Sequence, residues 1–518
     1  MSFEGRALAV RRIVTNNGNK TPGIDGIVWS DNNKKYEAIS ELRSILVSKS
    51  GSYKSGLIRR VWIPKSTSGE IRPLGIPTMI DRALQTLILL CLDPVVEEMS
   101  DTYSFGSRKF RGTHDAIQRI RTILDKTQGP KWVWDVDVSK CFDEISHKFL
   151  EKILNKILCK KGNELVRKWL KASIIDRGTV TTPKQGTPQG CILSPLLCNI
   201  TLNGLENVIR DGLPSPNSKK GRELSGSWLV RYVDDFIVTS FSKERLIEKN
   251  ISKVKKFLAE RGLQISEKKS KIVNLEKESF NFLGWTIRLQ TRNLKFNKLG
   301  KNQYVLLIEP KKEAVKRVKS QIKAEFRTHK PISALIRDLN PILRGWTNYY
   351  KTSYHSQRVF QSIGHYVYEL WWKWAKKKHP KRNKKFIHAT YIFKTPERSW
   401  RIGESSESLL FDVTLAKQII VKSLKNGLNP YAEKDYYINR TLIFDAEKFR
   451  KAIYKLYDLK CAACGEPLYD ELNNEEIHLH HKIPKKDGGK YSLDNIVPLH
   501  ATCHESITYA KKKWFNEQ

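Results

Sequence analysis

Acidic residues are scarce in this chain, and long apolar runs and cysteines are scarcer still. Asp and Glu number 54 against 93 Lys and Arg, a formal charge of +39 at pH 7. Solubility needs a net charge of only about 2–8 in a small domain. A surplus this large points to polyanions, because each phosphate neutralised releases condensed counterions. The most apolar stretch, Leu84 to Leu92, is far short of the ~20 residues that span a bilayer, so no membrane helix is expected. Met1 to Arg6 shows no long apolar run, so no secretory leader is expected, and a bacterial cytoplasm or an organelle is the expected compartment. Of 8 cysteines, Cys91, Cys141, Cys159, Cys191 and Cys198 lie among apolar neighbours and read as small buried hydrophobes. Cys461, Cys464 and Cys503 crowd beside histidines, a pattern of one metal site in a reducing compartment, not of a disulfide scaffold. There are no internal repeats.

What is present suggests several domains. A chain of 518 residues with 40% hydrophobic residues and 13 Trp can fill real cores, and domains of about 100–200 residues imply three or four of them. Up to about 290, strand-like and helix-like segments alternate. Gly56 to Pro77 reads as a hairpin with its turn at Ser66 to Glu70. Helical patterns follow near 78–100, 113–127, 146–159 and 190–211. Trp132 to Val138 reads as a strand, and Trp228 to Ser240 as two strands meeting at Asp234-Asp235. The mixture predicts an α+β domain with helices on an antiparallel sheet. From 310 to 400 the chain turns helical, basic and aromatic, 401–455 is less legible, and patches near 214–224 and 292–303 read as loops.

The central signal is Arg231-Tyr232-Val233-Asp234-Asp235-Phe236. Adjacent carboxylates at a tight strand turn repel, and a cation is the usual remedy. A second acidic strand, Trp134-Asp135-Val136-Asp137-Val138, puts Asp135 and Asp137 on one face. Two-metal nucleotidyl transfer needs carboxylates from separate strands to hold two Mg²⁺ about 3.5–4 Å apart.

Taken with Ile63-Pro64-Lys65, Arg72 to Pro77, Thr187-Pro188-Gln189-Gly190, Arg261-Gly262-Leu263 and Phe282-Leu283-Gly284-Trp285 in this order, the chain resembles the reverse transcriptases encoded by group II introns over about 1–290. That resemblance implies a right-hand polymerase with fingers and palm. Asp137, Asp234 and Asp235 would be its catalytic, metal-binding carboxylates, with the Val138 carbonyl as an extra ligand. Asp135 falls where the family is variable, and Asp143 would cap or position the following helix. Lys65 and Arg72 would clamp the triphosphate, Gln189 would contact nucleotide or template, and Phe142 would exclude a 2′-hydroxyl, with ordinary core packing as its alternative. Relatives usually carry several dozen residues ahead of the segment matching Ala7 to Arg12, so RNA affinity and template switching are open to difference.

Leu339-Asn340-Pro341 with Leu343 to Tyr350 resembles the family's α-helical thumb, or maturase domain. A helical face of cations and aromatics can hold phosphates and stack bases. Arg344, Lys376, Lys377 and Lys378 are the expected RNA contacts, whereas Trp346, Tyr349 and Tyr350 are better read as core.

At the C-terminus, Cys461-x-x-Cys464 and His500-x-x-Cys503 have the spacing of a tetrahedral, structural Zn²⁺ site. With His480-His481, Asn495 and His504 they resemble a zinc-stabilised ββα-metal HNH endonuclease. By resemblance His481 is the general base, Asn495 orients its loop, and His480 with His504 binds the catalytic ion, expected to be Mg²⁺ as in the polymerase. A catalytically dead DNA-binding knob is the alternative.

The expected organisation is fingers and palm at 1–295, thumb at 300–400, a DNA-binding or linker region at 401–454 and the nuclease at 455–518. Intron RNA, target DNA and dNTPs are the expected partners, in splicing and in retrohoming by target-primed reverse transcription. The rival is an RNA-binding maturase with decayed enzymatic modules, opposed by intact Asp137, Asp234, Asp235 and His481. A retron-type enzyme is a weaker third reading.

Overall fold

The computed structural model describes the chain except residues 1, 17, 50–51, 65–70, 126–128, 212–226, 292–303, 328, 420, 434–435, 438–439, 441–447, 469–476, 485–486, 490–491 and 510–518. Side chains at 448–449, 451 and 508–509 are likewise outside the description. Lys65, the hairpin turn and the two Asn- and Lys-rich patches therefore lie outside the described residues.

Helix α1 (Phe3–Thr15) starts at Ser2, whose hydroxyl accepts from Gly5 N, and packs with helix α2 (Met79–Met99). Strands β1 (Ile58–Pro64) and β2 (Ile71–Ile76) form the expected antiparallel hairpin. It extends through Ile174–Asp176 and Thr179–Thr181 into a four-stranded sheet.

The second sheet carries the acidic residues. Strand β3 (Trp132–Ser139) lies beside β5 (Asp235–Ser240), which pairs with β4 (Leu229–Tyr232); Gln264–Ile265 and Lys271–Asn274 line the other edge of β3. Pleating sends Trp134, Val136 and Val138, with Phe236 and Val238, into the main helical core. Val133 and Ile237 face a second core. Asp135, Asp137 and Asp235 share the face of Val133 and Ile237, so this face begins apolar and ends acidic.

Several local expectations need correction. The 190–211 pattern is two helices, Ser194–Leu202 and Leu205–Arg210, parted where Gly204 takes φ +90°. Asp143 does not cap the next helix: it sits in the single turn Cys141–Glu144, and Ser146 caps His147–Ile157 by accepting from Phe149 N. Cys141, Cys191 and Cys198 are buried, but Cys91 and Cys159 are exposed; apolar neighbours in sequence do not fix which way a helical side chain turns.

A three-stranded sheet, Phe280–Phe282, Trp285–Thr291 and Tyr304–Pro310, leads into helices Lys312–Glu325, α3 (Ile332–Tyr350) and α4 (Gln357–Lys378). Their shared core includes Leu335, Leu339, Leu343, Ile363, Trp371 and Trp374. Trp346, Tyr349 and Tyr350 pack where this unit meets the sheet; the Tyr350 ring lies 4.7 Å from Trp285, and the Tyr349 hydroxyl donates to Leu283 O at 2.7 Å.

The 401–455 stretch returns to the N-terminal body. Tyr431 donates to Asp93, Asn429 Nδ2 donates to Glu98 at 2.6 Å, and Arg440 pairs with Asp115. Strands β6 (Ile477–His481) and β7 (Ile496–His500) pair antiparallel, and helix α5 (Ala501–Tyr509) packs on both. Arg11 of α1 donates to Thr502 Oγ1 of α5 at 2.9 Å, and Phe110 packs on the C-terminal core. Among the described residues no helix is long and apolar enough to cross a membrane.

Candidate active sites

The register of β3 and β5 sets Asp137 directly opposite Asp235. Tyr232 pairs with Asp235 across the next gap, which leaves Val233 and Asp234 as a two-residue hairpin turn. Such turns require a positive φ at the first central residue or at both, and Val233 has φ +59°. A β-branched side chain is disfavoured there, at a cost of about 1–3 kcal/mol that surrounding contacts must offset. Arg231 supplies them. Fully buried, it donates to Val233 O at 3.1 Å, Asn199 Oδ1 at 2.9 Å and Asn203 Oδ1 at 3.2 Å, while Asp101 lies 3.8 Å away as its counter-charge. Gly106 closes the turn from outside: a Cβ there would meet Val233 N at 2.6 Å.

The carboxylates crowd one another. Asp235 keeps exposed surface, but the protein around it removes bulk water; this loss of solvent, then Asp135, Asp234 and Asp137, push its carboxyl up to about 7. Burial, followed by repulsion from Asp137, pushes Asp135 up to about 6 against the pull of Lys271. Asp234 is raised by burial and Asp137, and Arg72 and Arg231 pull against the shift. A set of hard oxygen donors held above the usual carboxylate range by burial first and by one another second suits divalent metal ions.

The other expected site residues have contacts of their own, and of these Arg72 is tied electrostatically to the cluster. Arg72 is exposed on β2 and acts electrostatically on Asp234. The backbone of Gln189 is fastened to the same strand, since Gly75 N donates to Gln189 O at 2.6 Å. Gly190 permits this approach: its φ is +103°, and a Cβ would stand 2.6 Å from Gly75 O. Phe142 is half-buried against the main core, and its carbonyl accepts from Thr187 N at 2.6 Å. Val138 is buried beside Asp137 and pairs with Ile265. Arg344 is exposed 4.9 Å over the Phe411 ring, and Lys376, Lys377 and Lys378 are exposed on the last turn of α4, where the helix dipole favours cations.

At the C-terminus, the ligand atoms of Cys461, Cys464, His500 and Cys503 all lie within 4.8 Å of one another. His500 Nε2 lies 2.9 Å from Pro467 O, to which it can donate, which directs Nδ1 toward the sulfurs. A bond with Cys461 pushes His500 up to about 9; Cys461, despite the upward pull of burial, is held down to about 6 by His500 and backbone N–H groups. A tetrad of three sulfurs, one of them held down toward the thiolate, and a ring nitrogen turned toward them fits a tetrahedral zinc ion, which takes thiolates and neutral imidazole. Across the hairpin, Asn495 bridges both polar groups of one peptide position, accepting from Ile483 N at 2.8 Å and donating to Ile483 O at 3.2 Å. His480 and His504 have ring centroids 4.9 Å apart. Burial, with neighbouring imidazoles, lowers the pKa of both. His481 follows His480 and so points to the other face of β6.

Two residues escaped sequence reasoning. Arg231 looks like an ordinary strand cation beside the acidic pair, and only its burial reveals its grip on the turn. His478 carries a faint signal, standing two residues before His480 and thus on its face; its Nδ1 lies 3.2 Å from Nδ1 of His504.

An acidic strand pair, joined in one chain to a small metal-site hairpin and helix, has the make-up of a nucleic-acid polymerase fused to a nuclease module. Family comparisons resolve this class. Residues 1–42 match the N-terminal domain of reverse transcriptase, 63–287 reverse transcriptase (RNA-dependent DNA polymerase), 315–391 the group II intron maturase-specific domain, and 461–509 HNH endonuclease. The chain belongs to the group II intron-encoded reverse transcriptase–maturases that carry an HNH domain. The group II intron-encoded protein LtrA of Lactococcus lactis subsp. cremoris is 24% identical over 98% of this chain and 94% of its own length. Protein YkfC of Escherichia coli K12 is 36% identical over 42% of this chain and 58% of its own. The putative COX1/OXI3 intron 1 protein of Saccharomyces cerevisiae is 28% identical over 54% of this chain and 38% of its own. The chain thus spans well under two thirds of the latter two.

Proposed function

We propose that this multifunctional protein binds its parent intron RNA, assists splicing, and copies the RNA into DNA at a target site opened by its own nuclease. The observation that carries the polymerase reading is Asp137 set opposite Asp235, with Asp234 in the turn between β4 and β5. In this reading residues 1–295 are fingers and palm, 300–400 the thumb, 401–454 a DNA-binding or linking region, and 455–518 the nuclease. Asp137, Asp234, Asp235 and the Val138 carbonyl hold Mg²⁺ ions, which when bound supply the positive charge that in-line phosphoryl displacement needs. Arg72, with Lys65, binds the triphosphate. Phe142 excludes the 2′-hydroxyl beneath the sugar, and Gln189 positions nucleotide or template from the strap fastened to β2. Arg344 and Lys376 to Lys378 contact intron RNA phosphates.

In the nuclease, Cys461, Cys464, His500 and Cys503 hold a structural zinc ion. His481 removes a proton from the attacking water, Asn495 fixes the loop that follows it, and His480 with His504 holds a divalent ion at the scissile phosphate. Cleavage of one DNA strand would free the 3′ end that the polymerase extends.

The test pairs two assays: primer extension on an RNA template, and splicing of the parent intron at low Mg²⁺. Asp234→Asn with Asp235→Asn removes two charges while preserving size, so synthesis should collapse and splicing persist. Loss of both activities in a folded variant would show that the two tasks are not separable in this way.

A further inference from the structure

We propose that the nuclease ion is held by three imidazoles, those of His478, His480 and His504, and that this site takes a borderline transition ion such as Co²⁺, Ni²⁺ or Zn²⁺ in preference to Mg²⁺. The inference deepens the nuclease reading given above and rests on it.

The pleat of β6 puts His478 and His480 on one face, two residues apart, and α5 lays His504 across that face. Nδ1 of His478 is 3.2 Å from Nδ1 of His504, and their rings meet almost perpendicularly, at 80°. Two imidazole nitrogens bound to one ion at about 2.0–2.1 Å stand roughly 2.8–3.4 Å apart, with adjacent octahedral positions at the lower end and tetrahedral ones at the upper. The His478–His504 pair therefore already has the spacing of two ligands on one ion. The His480 ring lies 4.9 Å from the His504 ring, and His480 shares the strand face of His478, so the His480 ring must turn toward the ion to bind it.

Donor chemistry then decides the ion. Mg²⁺ prefers oxygen ligands in octahedral geometry, whereas imidazole suits zinc, nickel, copper and iron. A three-histidine set also differs in kind from its neighbour. Cys461, Cys464, His500 and Cys503 form a closed four-ligand site, while three protein ligands leave a position open for water or a phosphate oxygen, the hallmark of a catalytic centre. One protein would thus run its polymerase on carboxylates and Mg²⁺, and its nuclease on imidazoles and a softer ion.

The test is calorimetric titration of the zinc-replete full-length chain with Ni²⁺ and, separately, with Mg²⁺. Wild type should show a Ni²⁺ site that His478→Ala weakens at least about tenfold, since even the loss of an outer-shell partner costs a metal site 10–100-fold. The zinc held by Cys461, Cys464, His500 and Cys503, measured after weakly held metal is stripped from both proteins, should be retained in the variant, which reports a folded domain. His478→Glu, which supplies an oxygen donor at the same place, should shift preference from Ni²⁺ toward Mg²⁺. Unchanged Ni²⁺ affinity in both variants would overturn the role of His478. A wild-type nuclease that cleaves with Mg²⁺ and binds no Ni²⁺ at this site would overturn the ion preference. The nuclease reading fails separately, if His481→Ala cleaves DNA as well as wild type while the Ni²⁺ site persists.

Discussion

Replacing Asp235 by Asn should stabilise the protein in magnesium-free buffer at neutral pH, even though it removes a carboxylate proposed above to hold metal. Loss of bulk solvent and three neighbouring carboxylates raise the Asp235 carboxyl from 3.8 to about 7. The folded chain therefore keeps a proton that the unfolded chain gives up, so this group's stabilising effect is fully present below about pH 4 and lost as pH rises through about 7. At pH 7.5 the full displacement would correspond to about 4 kcal/mol. Because Asp235 retains exposed surface, solvent screening leaves about 1–2 kcal/mol. At about 2–4 °C per kcal/mol, Asp235→Asn should raise the melting temperature of the polymerase unfolding step by roughly 2–8 °C at pH 7.5. The difference should shrink at pH 5, where the wild-type carboxyl is protonated and resembles the amide. Millimolar Mg²⁺ should reverse the order, because an ion that binds the native wild type stabilises it by mass action. The assay is differential scanning calorimetry of both proteins at the two pH values, with and without Mg²⁺. A variant no more stable than wild type at pH 7.5 without Mg²⁺, or a gain that persists undiminished at pH 5, would refute the claim that repulsion among these carboxylates is relieved by the metal.

Phe142→Ala should relax discrimination against ribonucleotides in single-nucleotide incorporation, and wild-type sugar selectivity at full activity would remove the steric role. Cys464→Ser should lose zinc and unfold the C-terminal hairpin and helix; metal analysis of wild type and variant checks it, and a zinc-free wild type would end the assignment. Gly106→Ala places a methyl 2.6 Å from Val233 N, a backbone atom that cannot turn aside. Since a displacement of about 1 Å at a reacting geometry can cost ~10²-fold, primer extension should fall by that order while zinc content is retained.

What the sequence made legible was local. The hairpin at β1 and β2, the strand β3 and the paired strands β4 and β5 follow from alternation and turn residues within a few positions, and so does the shared face of Asp135 and Asp137. The N-cap at Ser146 was missed because Asp143 and Ser146 are both good cap formers, and the choice depends on the single turn at Cys141–Glu144. The 401–455 stretch was illegible for a deeper reason. Its conformation is set by Asp93, Glu98 and Asp115, more than 300 residues earlier, and no periodicity records such partners. His478 lies between: its face on β6 could be read, but its partner His504 comes from a helix brought over by packing.

The loop from Asp101 to Gly112 explains how a strained turn can persist beside so much repulsion. On one side it acts as a further strand for β4: Arg231 N donates to Tyr103 O at 3.0 Å, and Phe105 N donates to Arg231 O at 2.9 Å. On the other, Arg108 and Arg111 grip the buried carboxylate of Glu97 at 2.6 and 2.9 Å. Breaking a buried pair of this kind by removing one partner typically costs about 3–5 kcal/mol, more than the strain of about 1–3 kcal/mol at Val233. Beyond Glu97, Lys109 lies 4.9 Å over the ring of Tyr431, and Phe110 packs on the nuclease core. The wall that holds the polymerase turn in place is therefore the same wall on which the returning 401–455 segment and the nuclease rest. The extra length that carries the nuclease is anchored on the body it serves, and its anchor residues are interleaved with those that position Asp234.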